Sequence, residues 1–136
     1  MFWKYRQEKQ GLWCVLALKV SVLWELDCLF CKHNAADARI SCLSDAALSA
    51  STALRRMFDE IEGHEGREEQ KLKLYDPTDP QAEVLVNQSI LPNYIGGIVF
   101  SDKPSKDQYQ HLSDRIQLVQ HSRNKGFFAS RNYVRR

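Results

Sequence analysis

The chain has 136 residues, 43% of them hydrophobic, and a net charge of +2. This length fits a single domain over residues 1–136 that buries a core without disulfide or metal staples. The composition is ordinary for a globular protein and excludes a disordered or fibrous chain. The charge is uneven, because residues 1–100 carry a net −3 and residues 101–136 a net +5. The positive end suits phosphate, an anionic membrane or an acidic partner, or simply keeps the chain in solution.

The four cysteines lie close together in the first third of the chain. A secreted disulfide protein usually spreads its cysteines out, so this clustering favours free, mostly buried thiols in a reducing, intracellular compartment. Cys28, Cys31, His33 and Cys42 also offer soft ligands suited to tetrahedral zinc. Their spacing lacks the second close pair that is typical of zinc knuckles. We therefore expect neither a metal nor a cofactor, with a small zinc-stabilised module as an alternative.

Residues 12–30 place apolar side chains on nearly all faces of a helix, which predicts a buried or partner-bound helix. A short strand over 26–30 fits the same apolar run. Lys19, Glu25 and Asp27 make the segment a poor membrane span. A domain of this size cannot cover such a helix alone, so we expect four of its side chains to bind a partner chain: Trp13, Leu16, Val20 and Trp24.

The middle of the chain reads as one helix and one loop. The apolar spacing over 44–62 predicts a helix with Ser44 or Asp45 as its N-cap and Gly63 as its end. The charged residues 62–70 are typical of a solvated loop.

Strand patterns follow. Alternation over 71–75 suggests the start of a strand, and two Asp-Pro pairs within 75–81 predict a turn. Residues 83–87 and 95–100 are predicted strands. The Gly96-Gly97 pair permits positive φ or a close backbone approach, and it lacks the further residues of a phosphate-binding loop.

A last helix is predicted from Ser105, its N-cap, to Asn124 or Gly126. Tyr109, Leu112, Ile116 and Val119 form one narrow apolar stripe on it. Together these elements predict an α/β (α+β) fold, a small mixed sheet packed by two or three helices. No nucleophile, base and orienting group stand in a recognisable catalytic spacing, so we assign no catalytic residue and lean against an enzyme.

From about residue 26 onward the chain resembles the C-terminal globular domain of the E-type peripheral-stalk proteins of vacuolar-type rotary ATPases. The resemblance lies in LFCKHNAAD at 29–37, VLVNQSILPNYIGGIVFSD at 84–102, LSDRIQLVQ at 112–120 and FASRNYVRR at 128–136. It implies a non-catalytic structural role in the assembly of an ion-transport complex, cytoplasmic or membrane-associated through partner proteins. Arg115 would then reach out to a partner.

The alternative function is that of a nucleic-acid-binding or ribonucleoprotein component that uses the basic, aromatic C-terminal tail, residues 123–136. Arginine and lysine would neutralise phosphates, and the aromatic rings would stack on bases. The candidate contact residues are Arg123, Lys125, Phe127, Phe128, Arg131, Tyr133, Arg135 and Arg136.

Overall fold

The computed structural model describes residues 14–121. In chain order its elements are β1 (Cys14–Leu18), α1 (Val22–Glu25), β2 (Cys28–Cys31), α2 (Ala38–Ser41), α3 (Asp45–Leu48), α4 (Ser51–Arg56), β3 (Glu83–Val86), β4 (Ile95–Phe100), α5 (Lys103–Gln108) and β5 (Gln117–Gln120), with 3-10 turns at Pro92–Tyr94 and Gln110–Leu112. The predicted α/β class, with a small mixed sheet, is confirmed.

The described residues fall into two compact units. The three-stranded unit combines residues 14–20 with residues 91–121, and the two-stranded unit is Ser21–Ile90. The single domain predicted over residues 1–136 stays a prediction. Among residues 14–121, no helix is long and apolar enough to cross a bilayer.

In the three-stranded unit, β4 lies between β1 and β5. It pairs antiparallel with β1, where Cys14 faces Phe100, and parallel with β5, where Gly97 faces Gln117. Ile98, Val99 and Phe100 are buried, as expected for the apolar end of a central strand. Tyr109, the residue that follows α5, stacks on Phe100 with 5.8 Å between the ring centroids. Its ring therefore covers the C-terminal end of β4.

In the two-stranded unit, β2 and β3 pair antiparallel, with Cys28 opposite Val86 and Cys31 opposite Glu83. All four residues of β2 are buried, because helices of this unit pack against the strand. Leu29, Cys31, Ile40 and Leu48 form its core. The side chains of a continuous apolar strand enter the interior on both faces, so β2 is the centre of this unit.

The predicted helix over 12–30 is wrong within the described residues, which form a strand, one helical turn and a second strand. Only the alternative of a short strand near 26–30 is confirmed, by β2. The physical reason is long-range pairing. Residues of β1 bond to β4 some eighty positions later. Short apolar runs fit a strand as readily as a helix, so local spacing cannot show which of the two forms.

The predicted helix over 44–62 is two short helices, α3 and α4, and it ends at Arg56. The N-cap at Ser44 is confirmed, since its hydroxyl accepts a hydrogen bond from the Ala47 amide at 3.3 Å. The break falls at Ala50, whose backbone is extended at ψ 146°. Beyond α4, the Met57 carbonyl accepts a hydrogen bond from the Thr78 amide at 2.8 Å. The segment around Thr78 therefore supplies the donor that a further helical turn would have supplied.

The long helix predicted after Ser105 is also wrong. The short α5 begins earlier, because Asp102 caps it by accepting a hydrogen bond from the Ser105 amide at 2.8 Å. Leu112 lies in a 3-10 turn and Val119 in β5, where parallel pairing with β4 takes up the apolar residues. The strands predicted at 83–87 and 95–100 are confirmed as β3 and β4. Residues 71–75 form no strand.

Gly97 tests the packing of β5 on β4. A Cβ at Gly97 would lie 3.2 Å from the Gln117 carbonyl oxygen, whereas one at Gly96 would meet nothing nearer than 3.6 Å. We expect Gly97→Ala to lower the free energy of unfolding by about 1–3 kcal/mol, because backbone cannot yield as a flexible side chain does. Gly96→Ala is the matched control and should change stability by less than about 0.5 kcal/mol. Equal urea midpoints for the two variants would contradict the close approach.

Candidate functional site

The polar residues that follow β2 lie beside the start of β3. Antiparallel pairing places Cys31 opposite Glu83, so the segment after β2 and the segment before β3 run side by side. The first segment is Lys32-His33-Asn34-Ala35 and the second is the Asp-Pro turn that leads to Glu83. The register of two buried strands therefore brings together side chains that are about fifty residues apart in sequence.

The carboxylate of Glu83 is held by two donors from the segment after β2. Its Oε1 accepts a hydrogen bond from Asn34 Nδ2 at 3.0 Å, and its Oε2 accepts one from the Ala35 amide at 3.1 Å. Asn34 is itself fixed, because its Oδ1 accepts from the Ala36 amide at 2.9 Å. We call Glu83, Asn34 and Ala35 the carboxylate clamp. Glu83 is half-buried, so its carboxylate has a defined direction.

A second contact joins the same two segments. His33 Nδ1 lies 2.6 Å from Asp79 Oδ2, and the imidazole is buried. The other oxygen of Asp79 accepts a hydrogen bond from the Gln81 amide at 2.7 Å. An ionised carboxylate only accepts hydrogen bonds, so with Asp79 ionised the donor of this contact is His33 Nδ1.

The loop between α4 and β3 is anchored by one arginine. Arg67 Nη1 donates to the Asp76 carbonyl at 2.8 Å and to Thr78 Oγ1 at 2.7 Å, and Nη2 donates to the Lys73 carbonyl at 2.9 Å. Its guanidinium also lies 5.8 Å from the centroid of the Phe58 ring. The charged loop that the sequence predicted to be solvated is thus tied by Arg67 to residues 73–78, which lead toward Glu83.

The electrostatic surroundings of the two buried thiols, Cys28 and Cys31, do not favour a nucleophilic thiolate. Burial raises the pKa of Cys31, and the negative charge of Glu83 raises it further. Burial raises the pKa of Cys28 as well, with a smaller effect from Asp27. A raised thiol pKa leaves little of the nucleophilic thiolate at neutral pH. Residues three apart on a strand also point to opposite faces, so Cys28 and Cys31 do not form a pair.

The proposed zinc ligands are not gathered. Among residues 14–121, no group of three or more histidine, cysteine or acidic side chains is placed to hold a metal ion. His33 is bonded to Asp79, and Cys42 is exposed.

An exposed ion pair stands beside the clamp segment. Asp37 accepts hydrogen bonds from the amide and the guanidinium of Arg39 and caps α2. These contacts hold the pKa of the Asp37 carboxyl well below its usual range. Asp37 therefore stays ionised through the acidic range in which the carboxylates of an unfolded chain take up protons.

The partner-binding residues predicted from sequence do not share one helix. Leu16 lies in β1 and Trp24 in α1, in different units, and both are exposed, as are Val20 and Arg115. Their binding of a partner chain stays a prediction. Trp13 and all eight predicted nucleic-acid contacts of the tail lie outside the described residues.

The sequence of this chain matches one known protein family over nearly its whole length. The model of one family, described as ssDNA thymidine ADP-ribosyltransferase, DarT, matches residues 1–129. The chain belongs to the DarT family. No curated protein matches it.

Membership of the DarT family corrects the resemblance to the stalk proteins of rotary ATPases, which is wrong. The structural role in an ATPase stalk and the link to ion transport are wrong for the same reason, since this family is described by an enzymatic activity on DNA. The sequence stretches that suggested a stalk protein include β2, β3 and β4. Short apolar strands with polar ends recur in unrelated proteins, so they carry little information about function.

Sequence reasoning missed the carboxylate clamp. It predicted the strand at 83–87 but looked for carboxylates in pairs, and Glu83 is a single one whose partners are an asparagine and an amide. The sequence did carry a signal for it, namely a glutamate at the first position of an apolar strand. A carboxylate that is partly buried there needs hydrogen-bond donors from neighbouring residues.

Arg67 gives a test of the anchored loop. We expect Arg67→Ala to lower the free energy of unfolding by about 1–3 kcal/mol, because three acceptors lose a charged donor. The loop should also be cleaved faster by a protease that cuts within residues 68–76. Arg56→Ala, at an exposed position, is the control and should leave both stability and cleavage nearly unchanged. Unaltered cleavage in Arg67→Ala would show that the loop is held by other contacts.

Proposed function

We propose that this protein transfers ADP-ribose to thymidine in single-stranded DNA, with Glu83 as the carboxylate that faces the reacting ribose. The observation that carries the proposal is the family match over residues 1–129. The carboxylate clamp supports it, because it supplies a fixed, half-buried carboxylate next to an amide side chain.

The chemistry explains why a carboxylate is needed. The donor, a nicotinamide dinucleotide, supplies a ribose whose C1′ carries a good nitrogen leaving group. In the transfer, the C1′–N bond breaks and its electron pair leaves with nicotinamide. A nucleophilic atom of thymidine bonds to C1′ and gives up a proton. Positive charge grows at C1′ as the bond breaks, and a fixed anion nearby stabilises that charge, as in glycoside hydrolysis.

Glu83 fits this role through what holds it. A carboxylate accepts about four hydrogen bonds, and the clamp provides two of them, from Asn34 and Ala35. The remaining lone pairs are open to a ribose hydroxyl while the carboxylate keeps its direction. A preorganised charge of this kind costs little reorganisation during the reaction.

Asp79, the nearby alternative, is less suited. Both of its oxygens are engaged, one by the buried His33 and the other by the Gln81 amide. This difference favours Glu83 over Asp79 as the reacting carboxylate.

The DNA strand needs a separate binding surface, and we propose the basic tail for it. Residues 101–136 carry a net charge of +5, which suits a phosphate backbone. The proposed contacts are the tail residues named above from sequence.

Removal of residues 130–136, beyond the family match, should weaken DNA binding and lower its dependence on salt.

Glu83→Gln tests the catalytic part of the proposal. We expect it to lower transfer by about 10²–10³-fold, because the neutral amide no longer stabilises positive charge at C1′. The readout is the mass gained by a thymidine-containing oligonucleotide incubated with the nicotinamide dinucleotide. Circular dichroism checks that the variant stays folded.

The matched control is Glu68→Gln, a substitution of the same kind at an exposed position. It should leave the rate unchanged. Full transfer by Glu83→Gln would exclude Glu83 from this role, and an equal loss in both variants would point to a general effect of charge.

A further inference from the structure

We propose that the His33–Asp79 pair is a positioning device for the Glu83 carboxylate. The role in transfer rests on the proposed function, whereas the positioning itself does not. Within the described part of the chain, His33 is not held near a metal site, and neither His33 nor Asp79 has a part in the transfer chemistry proposed above.

The segment before β3 is attached to the segment after β2 at more than one point. The segment after β2 contacts the segment before β3 twice, through His33 to Asp79 and through Asn34 and Ala35 to Glu83. A side chain held by one contact still pivots about it. Two contacts from neighbouring residues to points four residues apart fix both the distance and the direction of the second segment.

The turn between the two points is closed, so a displacement of Asp79 is passed on to Glu83. Asp79 Oδ1 accepts from the Gln81 amide at 2.7 Å, and the Asp79 carbonyl accepts from the Ala82 amide at 3.1 Å. Pro80 between them has a restricted φ. The start of the turn is held at Thr78 by Arg67 and by the Met57 carbonyl. Loss of the His33 contact therefore loosens the part from Asp79 onward, and the first residue beyond the turn is Glu83.

The surroundings of His33 indicate a structural fit. The imidazole is buried. Asp37 interacts electrostatically with His33, and Arg39 with Asp79. The contact that matters is a single donor at Nδ1, 2.6 Å from Asp79 Oδ2. An asparagine side chain carries an amide donor near the position of Nδ1, whereas the longer glutamine carries one near Nε2.

The experiment compares His33→Asn with His33→Gln in two measurements. The first is kcat and KM for transfer to a thymidine-containing oligonucleotide. The second is hydrogen exchange at the Ala35 amide, which donates to Glu83 Oε2. We expect His33→Gln to lower kcat by about 10–100-fold with little change in KM for DNA, because displaced reacting groups slow the chemical step. The Ala35 amide should exchange faster in this variant. His33→Asn should keep most of both properties.

Val22→Ala is the control for a general loss of stability, because Val22 is buried in the same unit and lies outside both contacts and outside the core cluster against which Ala35 packs. It should leave Ala35 exchange and kcat nearly unchanged at a comparable loss in Tm. A His33→Asn variant that loses kcat while Ala35 stays protected would overturn positioning in favour of direct proton transfer by the imidazole. Unchanged Ala35 exchange in His33→Gln would overturn it as well. If the wild-type chain transfers no ADP-ribose, the proposed function fails, and Ala35 exchange still decides whether His33 positions Glu83.

Discussion

The register of β2 against β3 is the constraint on which the site depends. Cys31 stands opposite Glu83, and this pairing alone sets the residues after β2 beside those before β3. A shift of one residue would turn Glu83 to the other face of the sheet and separate it from Asn34. The full burial of β2 makes such a shift costly, because it would bring different side chains into the interior. Packing energy in the core therefore also fixes the direction of a polar group at the edge.

Sequence patterns predicted the elements whose signals are local. Ser44 caps a helix, 83–87 and 95–100 contain strands, and Gly97 makes the close approach expected of a Gly-Gly pair. The two long helices predicted at 12–30 and from Ser105 failed for one cause, since β1 and β5 pair with β4, which lies elsewhere in the sequence. Helical spacing of apolar residues at 12–30 and 105–124 could not reveal those partners. The carboxylate clamp was out of reach for the same reason, because it joins Asn34 to Glu83 across forty-nine positions.

In this protein a correct prediction of the fold class did not lead to a correct prediction of the function. The α/β class was correct, yet the resemblance to an ATPase stalk protein was wrong, and the family match was needed to correct it. Strands, turns and glycine pairs describe how a backbone is built, and many unrelated proteins share them. The clamp around Glu83 says more about function. Partial burial of a carboxylate costs free energy, and a strand that served only to pack the core would not need a carboxylate held by two donors.

The central claim is that this chain modifies thymidine in single-stranded DNA. The most direct measurement is fragmentation mass spectrometry of a single-stranded oligonucleotide that contains all four bases, after incubation with the protein and the nicotinamide dinucleotide. The account predicts an added ADP-ribose on thymidine and on no other base, with none on the same oligonucleotide annealed to its complement. The absence of an adduct, or an adduct on another base, would contradict it.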